Sequence, residues 1–207
     1  MMPRIGIALA LALALAIARP AAAPLAIRMA APTALPAAVR ARLHGSRLVD
    51  LPQSRRSVNW SVGSFDNGSC MWASLMNLLR WQGRDELADW ISHHRGGGAN
   101  ANDLIAVLDQ AGSDWAFGRD VAFLEWCCRT RRGAIVQWGP GHVVNLVGLN
   151  ERTAWLMDNT GPLGQQLVPY RRADFLAYWS AHGGWGMTPL AGVPTPPKPW
   201  LFWEDES

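Results

Sequence analysis

Cysteine is scarce in this chain. The 207 residues hold three, Cys70, Cys127 and Cys128, too few for a small domain stapled by disulfides, and adjacent cysteines such as Cys127 and Cys128 rarely bridge. No C-x-x-C or H-x-x-x-H spacing occurs among the three cysteines and five histidines, which removes the usual grounds for structural zinc. His93 and His94 are neighbours and point to two sides of a helix. No metal and no cofactor is expected. Lysine is rarer still, with Lys198 alone among nineteen basic residues. The arginines gather mildly at Arg40, Arg42, Arg47, Arg55 and Arg56, with no aromatic interleaving and no nucleic-acid motif, so no nucleic-acid partner is expected. Also missing is any apolar run of about twenty residues, the length that crosses a bilayer.

The apolar run that does occur lies at the start. Arg4 precedes an apolar stretch from Ile5 to Ala18, and small residues follow through Ala23. A positive start, a short apolar run and a small-residue patch predict a secretory signal peptide over residues 1–23. The mature protein is then secreted or periplasmic, with no membrane span after signal removal; an uncleaved anchor is the alternative. Residues 1–23 carry Arg4, Arg19 and no acid, so cleavage lowers the formal charge from +3 to +1. Residues 24–56, rich in Ala, Pro and Arg, predict a linker or pro-segment. Residues 57–192 are one domain by size, and residues 193–207, proline-rich and then acidic, predict a disordered tail.

The domain is organised around Cys70. Asp66-Asn67-Gly68 is a turn signal, and after it Trp72, Leu75, Met76 and Leu79 recur at helical spacing until Gly83. This predicts an amphipathic helix with a thiol in its first turn. Helix N-termini present N–H groups without intrahelical acceptors, which stabilise a thiolate and lower its pKa. Position alone leaves two readings, a nucleophile or a buried core thiol.

Three more helices are predicted, over 84–94, from an Asn100 or Asn102 cap to Gly112, and over 120–130. Cys127 and Cys128 read as core thiols. Short strands are predicted at 115–117, 134–138, 142–148, 153–157, 165–170 and 185–190, with a helix at 171–181. Helices first and an antiparallel meander afterwards predict an α+β fold with the N-terminal helices packed on the sheet. Trp72, Trp138 and Trp155 are candidate groove aromatics.

His142 follows Gly139-Pro140-Gly141 and opens a strand, so its ring sits at the sheet's edge, where an imidazole can reach a thiol on a neighbouring helix. The hairpin through Asn150-Glu151-Arg152 returns the chain to Asp158 beside that start, because antiparallel partners lie about 5 Å apart. Asp158 is the candidate orienter of the His142 ring.

Ser69-Cys70-Met71-Trp72-Ala73-Ser74-Leu75-Met76, Asn102-Asp103-Leu104, Gly141-His142-Val143-Val144, Met157-Asp158-Asn159 and Asp174-Phe175-Leu176-Ala177-Tyr178-Trp179 together resemble papain-superfamily cysteine peptidases. The likeness is to the bacterial family of leader-cleaving double-glycine peptidase domains of bacteriocin exporters and their free-standing relatives. It implies a papain-like fold, a catalytic Cys70-His142-Asp158 triad, a thioester intermediate, a peptide or protein substrate and no cofactor. Two positions depart from the family. Asn159 stands where proline commonly follows the acid, and Ser64 stands six residues before the nucleophile, where the family supplies a glutamine to the oxyanion hole. Ser64 and Asn67 are the candidates for that hole; the amides of Gln53 and Asn59 are further away. Two alternatives remain open: a peptidoglycan amidase or endopeptidase, and an inactive papain-like binding module.

Overall fold

A run of apolar residues on every side of a helix can only be buried on every side, and that is the fate of α1, Cys70–Trp81. The computed structural model describes residues 48–49, 51–60, 68–160 and 167–191. The predicted signal peptide, the tail from 193, most of the leader, and Ser64 and Asn67 lie outside these residues. The stripe expected on α1 is too narrow a description. Every residue from Cys70 to Leu79 is buried, Ser74 and Asn77 included, so α1 is the central rod of the domain.

Helices α2 (Asp85–His94) and α3 (Ala101–Gln110) follow. α3 begins with a capping box, in which Asn100 Oδ1 accepts from the N–H groups of Asn102 (2.8 Å) and Asp103 (3.3 Å) while Asp103 Oδ2 accepts from Asn100 N–H. The cap is therefore Asn100, which satisfies donors that the helix itself leaves open. Strand β1 (Trp115–Gly118) precedes α4 (Val121–Arg129), capped by Asp120 Oδ1 on Phe123 N–H at 2.6 Å. Then come β2 (Ala134–Gln137), β3 (Val143–Leu149), β4 (Thr153–Met157), β5 (Leu167–Arg171), α5 (Arg172–Ala181) and β6 (Gly186–Pro189).

The six strands form one sheet in the order β1-β6-β2-β3-β4-β5, antiparallel throughout. The meander from β2 to β5 is continuous, and β6 returns to fill the gap between β1 and β2. The fold is α+β. Alternating side chains divide the core into two layers: Ile135, Val143, Val147, Trp155, Met157 and Met187 meet α1 and its neighbours, whereas Ala134, Val136, Val144, Leu146, Ala154 and Leu156 meet Phe123, Leu124, Cys127, Cys128, Phe175 and Trp179. Helices α4 and α5 thus cover the face opposite the N-terminal helices. Covering both faces explains why β2 to β4 read as nearly unbroken apolar runs.

One residue breaks the pattern on the α1 side. Asn145 on β3 is fully buried where alternation calls for an apolar side chain. Its Nδ2 donates to Ser74 O at 3.0 Å, and its Oδ1 accepts from Asn77 Nδ2 at 3.3 Å. Asn77 also exchanges two bonds with the backbone of Ser57, accepting at 2.6 Å and donating at 3.1 Å. Buried polar groups bonded in this way bind the entering chain, α1 and β3 to one another without leaving desolvated donors.

Candidate active site

The side chains that converge come from three separate places along the chain. Cys70 is the first residue of α1. His142 precedes β3 by one residue, a shift of one from the expected strand start, and Asp158 follows β4 by one. The turn before His142 places Gly139 at φ +88° and Gly141 at φ +65°, a left-handed conformation that side chains with a Cβ resist. Gly139 is also confined by space, since a Cβ there would lie 2.9 Å from the Tyr178 hydroxyl. This turn delivers the His142 ring to the edge of the sheet beside the start of α1.

His142 Nε2 lies 3.2 Å from Asp158 Oδ1 and 3.1 Å from Thr160 Oγ1. The Thr160 N–H donates to the same carboxylate oxygen at 2.9 Å, closing a turn that holds the acid in place. With Nε2 occupied, Nδ1 is the nitrogen left for the sulfur. The His142 and Asp158 side chains are 23% and 25% exposed, so the pair is shielded yet open on one side.

Charge and burial compete at each group. Burial raises the Cys70 thiol, but the His142 hydrogen bond, the Val143 N–H, the His142 charge and the Met71 N–H together outweigh it and leave the pKa below its ordinary 9.0. Burial disfavours the His142 imidazolium, yet bonds to Asp158 and Cys70 and the charges of both raise it from 6.5 to about 9. Asp158 is likewise penalised by burial and nevertheless lowered from 3.8 by His142 and Thr160. As a thiol, Cys70 donates only weakly, to Gly141 O at 3.9 Å; as a thiolate it is favoured by the His142 imidazolium and by the Val143 and Met71 N–H groups. The second form is the better satisfied one. By contrast, burial pushes Cys127 far up and Cys128 to about 12, as expected of inert core thiols.

A cleft of about 540 Å³ opens over Cys70 and His142. Gly98, Ala99 and Asn100 line it, as do Phe117, Gln137 and Trp185. Trp185 stacks on Phe117 at 5.9 Å, and its indole N–H donates to Gln137 Oε1 at 2.6 Å. None of the expected groove aromatics lines this cleft. Trp72 is buried in the core around α1, Trp138 packs against Tyr170, Phe175 and Tyr178, and Trp155 lines a separate pocket with Leu48 and Gly148. Trp185 and Phe117 take their place because β6 and β1, distant in sequence from Cys70, end beside it.

Of the oxyanion candidates, Ser64 and Asn67 fall outside the described residues, while Gly68 lines the cleft. Gln53 is exposed in a 3₁₀ turn, Gln53–Arg55. Asn59 Oδ1 accepts from both the N–H and the hydroxyl of Ser69 at 2.8 Å, which anchors the residue preceding Cys70. Sequence reasoning gave no role to Asn159, Thr160 or Gln137. The first two sit directly after the acid, and the only sign of Asn159 was its standing in place of proline. Among the described residues no group of three or more His, Cys, Asp or Glu side chains is placed to hold a metal ion, and no helix is long and apolar enough to cross a membrane.

No protein-family model matches the sequence, and no curated protein matches it. Several solved structures are similar to it. One is a double glycine motif protease from the AMS/PCAT transporter in complex with the leader peptide, at 16% identity and TM-score 0.47, covering 69% of this chain and 92% of that one. Another is the peptidase domain of Streptococcus ComA, a bifunctional ABC transporter of a quorum sensing pathway, at 14% identity and TM-score 0.47, with 65% and 97% covered. A third, described as a C39-like peptidase from Bacillus anthracis, has 12% identity and TM-score 0.48, with 70% and 97% covered.

Proposed function

We propose that this chain is an exported cysteine peptidase-like hydrolase that cleaves a peptide or amide bond through Cys70, His142 and Asp158. The observation that carries the reading is the convergence on one imidazole: Nε2 of His142 is held by Asp158 at 3.2 Å, and the ring lines one cleft with the helix-start sulfur of Cys70, which bonds Gly141 O, the residue before His142, at 3.9 Å. Export rests on the composition of residues 1–23.

The reaction follows from the charges. The Cys70 thiolate attacks the carbonyl carbon of the substrate, and the oxygen takes up the displaced electron pair. The N–H of Cys70, at the start of α1, is a donor for that oxyanion, and Ser64 and Asn67 stay the candidates for a second one. The His142 imidazolium gives its proton to the leaving amine, and a thioester forms as the C–N bond breaks. Neutral His142 then takes a proton from water, which attacks the thioester and releases the acid and the thiolate. Asp158 keeps the ring in register and stabilises its protonated form throughout. The open cleft of about 540 Å³ over Cys70 and His142 has room for a segment of extended peptide.

The test is hydrolysis of a library of short peptides by the purified chain and by Cys70→Ala, with the acyl-enzyme trapped by acid quench and located by mass spectrometry. Cleavage by the parent alone, with an adduct on Cys70, is expected. Release of fragments from peptidoglycan with no cleavage of peptides favours the amidase alternative. An unreactive Cys70 with neither activity leaves a binding module.

A further inference from the structure

The carboxamide of Asn159 is fully buried and touches both halves of the site. Its Nδ2 lies 2.9 Å from the carbonyl oxygen of Cys70, 2.7 Å from Ser74 Oγ and 3.1 Å from the carbonyl oxygen of Val143. Cys70 carries the sulfur, and Val143 is the residue after His142. One nitrogen therefore spans the start of α1 and the start of β3, the two elements whose separation sets the distance from thiol to imidazole. The acceptors fix the orientation of the amide, since the reverse would set its oxygen against two backbone carbonyls. The oxygen end, Oδ1, has no hydrogen-bond partner among the described residues, so the side-chain bonding here is all made by the nitrogen. The backbone joins in as well. Asn159 C=O accepts from Asn59 N–H at 2.6 Å, and Asn59 in turn holds Ser69.

We propose that Asn159 is a positioning residue, a brace that fixes the Cys70 sulfur against the His142 ring by bonding the carbonyls of Cys70 and Val143 from a single buried amide. This rests on the hydrolase reading for its purpose, though not for its test. The spacing of reacting groups is the quantity to which rate is most sensitive; a displacement of about 1 Å costs on the order of 10²-fold. Proline at this position has no amide and cannot make these bonds. Asn145 supplies the comparison. It is equally buried and belongs to the same polar network, yet it bonds Ser74 O and Asn77 and reaches neither Cys70 nor Val143 by its side chain.

The test is the pH dependence of Cys70 alkylation by iodoacetamide in the whole chain, with the Cys70 peptide quantified by mass spectrometry, for the parent, Asn159→Leu and Asn145→Leu. Circular dichroism and tryptophan emission establish that each variant is folded; Asn159→Ser, which keeps a donor, replaces Asn159→Leu if that variant does not fold. Asn159→Leu is expected to alkylate about tenfold more slowly at pH 7, with its thiolate profile moved toward that of a free thiol. Asn145→Leu is expected to keep the parent profile, because lost stability alone does not move it. An unmoved profile in the Asn159 variant, or an equal movement in Asn145→Leu, overturns the brace. A parent Cys70 that titrates as an ordinary thiol overturns the brace and the hydrolase reading together. A reactive parent thiol in a chain that hydrolyses nothing sinks the hydrolase reading alone and leaves the brace to be decided by the variants.

Discussion

The Asp158 carboxylate meets the His142 imidazole at Nε2, 3.2 Å away, on the side of the ring opposite Nδ1. The acid therefore acts on the sulfur only through the ring. Its removal should change both the protonation of His142 and the direction in which the ring points.

Asp158→Ala is expected to lower kcat/KM by about 10²–10⁴-fold, the usual contribution of an oriented acid–base group. Asp158→Asn should lose less, because an amide oxygen can still accept from Nε2–H although it carries no charge. Steady-state kinetics on one cleaved peptide compares the two; equal losses would show that charge matters and orientation does not.

Activity should follow a bell in pH. The rising limb reports loss of the Cys70 proton below 9.0, and the falling limb reports loss of the His142 proton near 9. Because the two groups interact, the limbs belong to the pair. Stability has its own signs. The raised His142 contributes stability that is fully present below pH 6.5 and is lost as pH rises through about 9. The lowered Asp158 contributes stability that is present above pH 3.8 and is lost as pH falls through its folded value. Urea titrations of the parent and His142→Ala should diverge at pH 6 and converge by pH 10.

Thiol counting should separate the three cysteines. Burial holds Cys127 and Cys128 protonated, so a disulfide reagent at pH 7 is expected to consume one equivalent rapidly and the remaining two only after guanidinium is added. Peptide mapping should place the fast equivalent on Cys70. Rapid labelling at Cys127 or Cys128 would contradict their burial.

The Gln137 amide is turned by the Trp185 indole, which occupies its oxygen. Gln137→Leu is expected to raise KM about tenfold, the loss of one neutral hydrogen bond of about 1.4 kcal/mol, with kcat little changed. A fall in kcat at constant KM would instead place Gln137 in the transition state.

Packing offers a check independent of chemistry. At Gly118 a Cβ would lie 2.4 Å from Cγ and 2.7 Å from Cβ of Phe123, itself fully buried. Gly118→Ala should destabilise the domain by about 1–3 kcal/mol, read as a lower denaturation midpoint at unchanged m-value.

The elements and their order were readable in the sequence because apolar spacing and turn residues are local. His142 after a glycine turn and Asp158 one hairpin later needed only antiparallel pairing to be brought together, whereas Cys70, on a helix outside the sheet, was joined to them by the family resemblance. The covering of the second sheet face by α4 and α5 was less plain, since a strand such as Val143–Leu149 reads alike whether one face or both are buried. The cleft walls were not readable at all. Trp185 reaches Phe117 through the insertion of β6 between β1 and β2, a long-range pairing that no local pattern encodes. The departure at Asn159 carried no role in the sequence because an Asp-Asn-Thr-Gly run is also an ordinary turn, and only its buried contacts distinguish it.

Asp158, Asn159 and Thr160 are consecutive, and they face alternately toward the imidazole, into the interior and back toward the imidazole. Orientation here depends on the length of the turn. One codon gained or lost between Met157 and Thr160 would break the Thr160 N–H bond to Asp158 and draw the Asn159 amide away from the carbonyls of Cys70 and Val143, disabling both tasks at once. The segment after β4 therefore admits substitution more readily than any change of length.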